Sequence, residues 1–350
     1  MTNINETLAA WSNLLIYSAM AIYAIAFIVY SFDLFGGRKI AGSRTEQQDL
    51  ARLTRPAKRA AVAARRTSRH RPTAVIDPAE PTTAEEDTTD TRTAGKPGGR
   101  SSRRMARVGT GLTVLAVVFH GAAVLTRTLS VMRVPWGNMM EYAMTASAVV
   151  TVVYLAALRW RDVRYLGTFV AGFVLISLGL AITVFYTPAA QLIPALESYW
   201  IVIHVPIAIL STAMLTISAL LAIFQITKAR TEHRDPPKFL AFMKRLPASS
   251  NIEQTSYLIA AVGFITWTFT LIAGAIWAEL AWGRYWGWDT KEIWTFVVWV
   301  VYAAYLHARA TRGWSATRVA GLNLIGFGSV IFNFAIVNVY FTGLHSYSGI

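Results

Sequence analysis

Residues 281–294 read Ala-Trp-Gly-Arg-Tyr-Trp-Gly-Trp-Asp-Thr-Lys-Glu-Ile-Trp, and this stretch sets how the rest of the chain is understood. Four tryptophans and one tyrosine share fourteen positions with Arg284, Asp289, Lys291 and Glu292. Long apolar runs flank the stretch on both sides. Indole has an apolar body and one polar N–H, which suits the boundary between hydrocarbon and water. The stretch is therefore expected to connect two membrane spans, and the fold to be a membrane helix bundle.

Composition points the same way. The chain has 350 residues, 54% of them hydrophobic, where an ordinary soluble domain has about 45–50%. Its apolar residues gather into blocks long enough to cross a bilayer as helices. Eight spans are predicted: Trp11–Tyr30, Val108–Leu125, Tyr142–Leu158, Tyr165–Tyr186, His204–Ile226, Tyr257–Trp277, Ile293–Leu306 and Val319–Phe341. The fold class is all-α, a polytopic membrane helix bundle. The first span lacks a basic stretch before it and a small-residue cleavage site after it, so it reads as an anchor rather than a cleaved signal.

Net charge is +14, which in a soluble chain would suggest nucleic acid. Here the basic residues fall between apolar blocks, and no nucleic-acid role is expected. Alternate connections are rich in Lys and Arg: residues 38–107, Arg159 to Arg164, Lys228 to Arg245, and Arg309, Arg312 and Arg318. The other connections hold only Arg127, Arg133, Arg284 and Lys291. Positive loops stay in the cytoplasm, so both termini and the tryptophan stretch are expected on the outer face. Residues 1–36 form a first anchor, and 37–107 a disordered basic cytoplasmic insertion rich in Ala, Thr, Arg, Pro and Gly. Residues 108–350 form a seven-helix core carrying the aromatic connection.

A cluster of indoles rimmed by cations suits a flat apolar ligand that carries carboxylates. Haem is such a ligand: its porphyrin stacks on aromatic faces and its propionates pair with Arg284 or Lys291. The chain has no cysteine, so it has no thiolate site and no thiol of its own to join to haem. Any thiol chemistry belongs to a partner or substrate.

Of the six histidines, His70 and His233 lie in basic loops and read as solvated. His204 opens the fifth span and His345 follows the last, both at the level of the aromatic stretch. They read either as two axial ligands to haem iron or as interfacial residues satisfied by water. His120 and His307 lie within spans, where an ionisable group is costly and a function is the default. A helix–helix hydrogen bond is the plain alternative. His307 lies nineteen residues after Trp288, ~28 Å along a helix and so near the inner face, whereas His120 sits nearer the middle or outer half of its span; sequence alone does not make His120 and His307 one ligand pair. Asp289 and Glu292 have the spacing of a helix N-cap with a back-reaching Glu. Trp136, Asn138 and Glu141 open the third span, as haem contacts or as caps. Arg127 and Arg133 pair with propionates or snorkel to headgroups.

Taken together, these residues resemble the CcsA proteins of cytochrome c maturation (system II), within the wider haem-handling WWD group. The signature is Trp282-Gly283, Tyr285-Trp286, Trp288-Asp289 and Lys291-Glu292, closed by Trp294. His120 with Arg127, then Pro135, Asn138 and Glu141, Trp200 with His204, Tyr305-Leu306-His307, and Asn338 with Gly343 to Tyr347 extend it over about residues 108–350. Thr290 and Ile293 depart from the Pro and Thr more usual there. The resemblance does not cover residues 37–107.

The resemblance implies a partner of the CcsB or ResB type, with which such proteins move haem outward. Haem b would be joined at the outer face to the two thiols of a Cys-x-x-Cys-His motif in apocytochrome c. It implies that His204 and His345 ligate the external haem, with Trp282, Arg284, Trp286, Trp288, Asp289 and Trp294 around it. It also implies that His120 and His307 meet haem within the membrane. No residue reads as an acid–base catalyst, so synthase activity would arise only in the complex. A bacterial plasma membrane is expected rather than a thylakoid. Two other readings stay open: a haem exporter serving a carrier, and a b-type electron-transfer subunit.

Overall fold

A computed structural model describes residues 4–35, 99–192, 194–232 and 236–345. His70, His233 and most of the 37–107 insertion lie outside the described residues. The chain divides into two units, Met1–Leu34 with Met105–Ile350, and Phe35–Arg104; the first carries the bundle.

Eight helices among the described residues are long and apolar enough to cross a membrane. They are α1 (Glu6–Phe35), α2 (Gly99–Val131), α3 (Met139–Ala157), α4 (Gly167–Thr183), α5 (Trp200–Thr231), α6 (Ser249–Trp282), α7 (Thr290–Ala310) and α8 (Ala316–Tyr340). The protein is a polytopic membrane helix bundle. All eight predicted spans are present, and most run longer than expected. Hydropathy marks only the stretch that sits in hydrocarbon, whereas the helix continues until a cap ends it. Thus α5 starts four residues before His204, and α6 ends where Gly283 turns left-handed.

Neighbouring helices run antiparallel. The Asn5 N–H donates to the Ser130 carbonyl at 2.8 Å, so α1 begins where α2 ends. Lower on the same pair, the Ser12 hydroxyl donates to the Ala123 carbonyl at 2.7 Å. Helix α5 packs most extensively along α6. In hydrocarbon, apolar contact alone does little to drive helices together, so small polar side chains supply the specificity. Ser218, Ser256 and Asn323 form such a knot: Asn323 Nδ2 donates to the two hydroxyls at 2.8 and 3.2 Å, joining α5, α6 and α8.

One end of the bundle is built around a buried carboxylate. Glu141, in the first turn of α3, accepts from Arg127 Nε at 3.2 Å and from Arg133 Nη1 at 2.7 Å. Arg127 Nη2 donates in turn to the Thr187 carbonyl at 2.6 Å, and Arg133 Nη2 to the Ala190 carbonyl at 2.6 Å. The connections after α2 and after α4 are thereby tied to the start of α3. This corrects the expectation that Arg127 and Arg133 serve propionates or headgroups: their guanidinium groups are committed to Glu141 and to backbone carbonyls.

Candidate functional site

The aromatic connection lies at this same end and is shaped by Glu292. Helix α6 stops at Gly283, whose φ of +68° is costly for any residue with a Cβ. The Glu292 carboxylate then gathers the loop, accepting from the Gly287 N–H at 2.8 Å, the Asp289 N–H at 3.1 Å and Arg284 Nη1 at 3.1 Å. Asp289 is the N-cap of α7, and with Glu292 it forms the expected capping arrangement. Between these anchors Trp288 adopts a φ of +60°, a conformation bulky residues seldom take, and is 72% exposed.

Below the loop is a cavity of about 230 Å³. His204 and His345 both line it, with Trp136, Trp277, Trp282 and Trp286 as aromatic walls. His204 sits one turn into α5, edge-on to Trp277 with ring centroids 5.6 Å apart. Gly274 of α6 makes room for it: a Cβ there would lie 2.9 Å from His204 Cε1. His345 stands edge-on to Trp282 at 4.7 Å, and its Nδ1 lies 2.5 Å from Asp289 Oδ2. Burial pushes the His345 imidazole below its ordinary value of 6.5, against the upward pull of its bond to Asp289, which favours the neutral ring.

The cavity offers polar groups with nothing to bind. His204 Nδ1 and Trp277 Nε1 are buried with no hydrogen-bond partner, an arrangement that costs free energy unless a ligand satisfies it. Lys291 also lines the cavity, its Nζ donating to the Asn333 carbonyl at 2.8 Å. Helices α3, α5 and α7 all begin here, so three positive helix ends face one space. Two imidazoles, five indoles (Trp267 among them) and a lysine fit a planar, apolar, iron-bearing anion. The donor set therefore suits haem.

The other expected site residues are placed differently. Asp289 borders the cavity through its bond to His345, and Arg284 is held to Glu292 rather than turned inward. Trp288 points out of the site and touches Trp286 edge-on at 5.9 Å. Trp294 packs on Phe332 of α8 at 4.1 Å, as a helix–helix contact. Asn138 caps α3, accepting from the Glu141 N–H at 2.9 Å, and also lines the cavity. His120 is buried between α1 and α3, with the Tyr23 hydroxyl 3.4 Å from its Nδ1 and its Nε2 unpartnered. His307 is exposed near the end of α7, and no described contact joins it to His120.

Two lining features were not anticipated from sequence. Gly274 and Trp277 fall on one face of α6 with Trp267, Thr270 and Leu271, a stripe of helical spacing that lies inside the predicted sixth span. Asn333 and Phe334 come from a π-helical segment, Phe332–Ile336, inside α8. One extra residue per turn there releases the Asn333 carbonyl to Lys291, and such segments concentrate at functional sites.

Comparisons with known proteins match this geometry. The profile of the cytochrome c assembly protein family matches residues 136–345, which span every lining residue of the cavity. CcsA of Guillardia theta is 34% identical over 263 residues, covering 69% of this chain and 85% of that protein. CcsA of a Synechococcus species (strain JA-3-3Ab) is 32% identical over 65% of this chain and 81% of its own length. CcsA of Chlamydomonas reinhardtii is 40% identical over a shorter stretch, 45% of this chain and 43% of that protein. Among solved structures, the cytochrome c heme lyase CcmF superposes with a TM-score of 0.61 at 14% identity. It covers 93% of this chain, which spans about half of CcmF (46%), and the likeness is one of fold. On the family profile and these relatives, the chain belongs to the CcsA family and is a multi-pass cytochrome c biogenesis protein.

Proposed function

We propose that this protein holds haem b between His204 and His345 and presents it for covalent attachment to apocytochrome c. The observation that carries the reading is one cavity lined by both imidazoles and five indoles, with buried polar atoms that no protein group satisfies. The imidazoles would ligate the iron, and Lys291 with the helix N-termini would draw the propionates. In the reaction, each S–H of a Cys-x-x-Cys-His motif adds across a haem vinyl group, forming one C–S and one C–H bond. The substrate supplies both thiols. This chain supplies position, which by itself can account for much of a rate. A CcsB or ResB-type membrane protein completes the synthase in this reading.

The site faces outward in the same proposal, in a bacterial plasma membrane, with both termini outside. At the site end Arg127 and Arg133 share Glu141, and Arg284 pairs with Glu292. The opposite end carries the larger basic set, including Arg159, Arg161, Arg309, Arg312 and Arg318, which favours the cytoplasm. His120 and His307 keep a proposed role as haem contacts on the way across. The test is haem content of purified protein in which each of the four histidines is replaced by Gly, with and without added imidazole. Loss of haem in His204→Gly and His345→Gly, restored by imidazole, is expected. Wild-type haem content and cytochrome c production in all four variants would overturn the reading.

A further inference from the structure

Asp289 and His345 come from separate segments, the start of α7 and the chain beyond α8, yet meet at 2.5 Å. Asp289 already has one task, as N-cap of α7. That task does not need a carboxylate, since Asn or Ser caps about as well. Its Oδ2 is instead turned to an imidazole nitrogen, and a carboxylate accepts from nitrogen only where that nitrogen carries the proton. With the proton on Nδ1, this contact would hold His345 as the Nδ1–H tautomer, with the lone pair on Nε2. Trp282, edge-on to the ring, restricts its rotation. Among the described contacts the other cavity histidine has no carboxylate behind it: His204 Nδ1 has no hydrogen bond, and the ring's polar neighbour is the Thr270 backbone.

We propose that Asp289 is a positioning residue. It fixes the tautomer and orientation of His345 and increases that imidazole's basicity, so that the two histidines bind iron unequally, His345 the more strongly. A carboxylate behind a ligating histidine stabilises the oxidised metal, and removing it commonly weakens metal binding 10–100-fold. The inference rests on haem ligation at this cavity as proposed above, and its tests separate the two.

The first test needs no haem. Full-length apoprotein labelled with ¹⁵N-histidine should show His345 protonated at Nδ1, assigned by loss of its signals in His345→Gln. An Nε2–H tautomer in the wild-type protein would overturn the proposal. The second test compares wild type with Asp289→Asn and Asp289→Ser, both of which preserve the cap. Each variant should bind haem b 10–100-fold more weakly and, once loaded, show a higher midpoint potential. Unchanged affinity and potential in both variants would sink the role of Asp289 while leaving haem binding by the histidines intact. Absence of haem binding by the wild-type protein would sink both.

Discussion

At the residue scale, the cavity depends on small groups that make room for large ones. Gly274 is the clearest case, because a single methyl there reaches to within 2.9 Å of the His204 ring. Gly274→Ala should therefore displace the imidazole by a few tenths of an ångström, and Gly274→Leu should expel it from its place beside Trp277. Haem content is expected to fall modestly in the first and severely in the second, with helix content by circular dichroism unchanged in both. Equal haem content in wild type and Gly274→Leu would show that His204 is not held there for iron. The same scale divides the tryptophans. Trp282 and Trp286 line the cavity, Trp294 packs α7 on α8, and Trp288 is exposed. Trp282→Ala should thus reduce bound haem, whereas Trp288→Ala should leave haem content near that of wild type, read from pyridine haemochrome spectra. The sequence singled out His204, His345 and the indoles because rare, costly side chains stood at one membrane level. It could not rank the four tryptophans, since their roles depend on which face of α7 and which turn of the loop each one occupies.

At the element scale, the Glu141 cluster ties the connections after α2 and after α4 to the start of α3, so that α3 and α5 begin at the cavity. Its carboxylate is fully buried, with Arg127 2% and Arg133 9% exposed. Removing one partner of such a group strands the others without solvent. Glu141→Ala leaves two buried guanidinium groups and should cost about 3–5 kcal/mol, measured by chemical unfolding in detergent. Arg133→Ala leaves Glu141 its bond to Arg127 and should cost less. A loss near zero for Glu141→Ala would mean that these loops do not depend on the cluster. The helices themselves were legible as apolar blocks, and their number and order stand. Their ends were legible in part: the spacing around Asn138 and Asp289 marked two N-caps, whereas hydropathy averages over single residues and missed the stop at Gly283. The π-helical segment in α8 was invisible for a related reason: its apolar sequence fits an α-helix equally well, and the Lys291 bond to Asn333 appears only in three dimensions.

At the scale of the whole molecule, antiparallel packing brings the start of α1, the Glu141 cluster, the cavity and His345 to a single end of the bundle. Covalent chemistry on an exported apocytochrome requires that end to face away from the cytoplasm. The charge distribution argues for the same orientation, since the larger set of Lys and Arg lies at the opposite end. The absence of cysteine makes the orientation simple to measure, because any thiol introduced is the only one in the chain. Tyr199, before α5, and Trp160, after α3, are 65% and 78% exposed at opposite ends of the bundle. In intact cells, a thiol reagent that cannot cross the membrane should modify Tyr199→Cys and spare Trp160→Cys until the membrane is opened. The reverse pattern would place the cavity in the cytoplasm. Haem could still bind there, but no exported Cys-x-x-Cys-His motif could reach it, so attachment of haem at this cavity would have to be abandoned even if both histidines proved to be ligands.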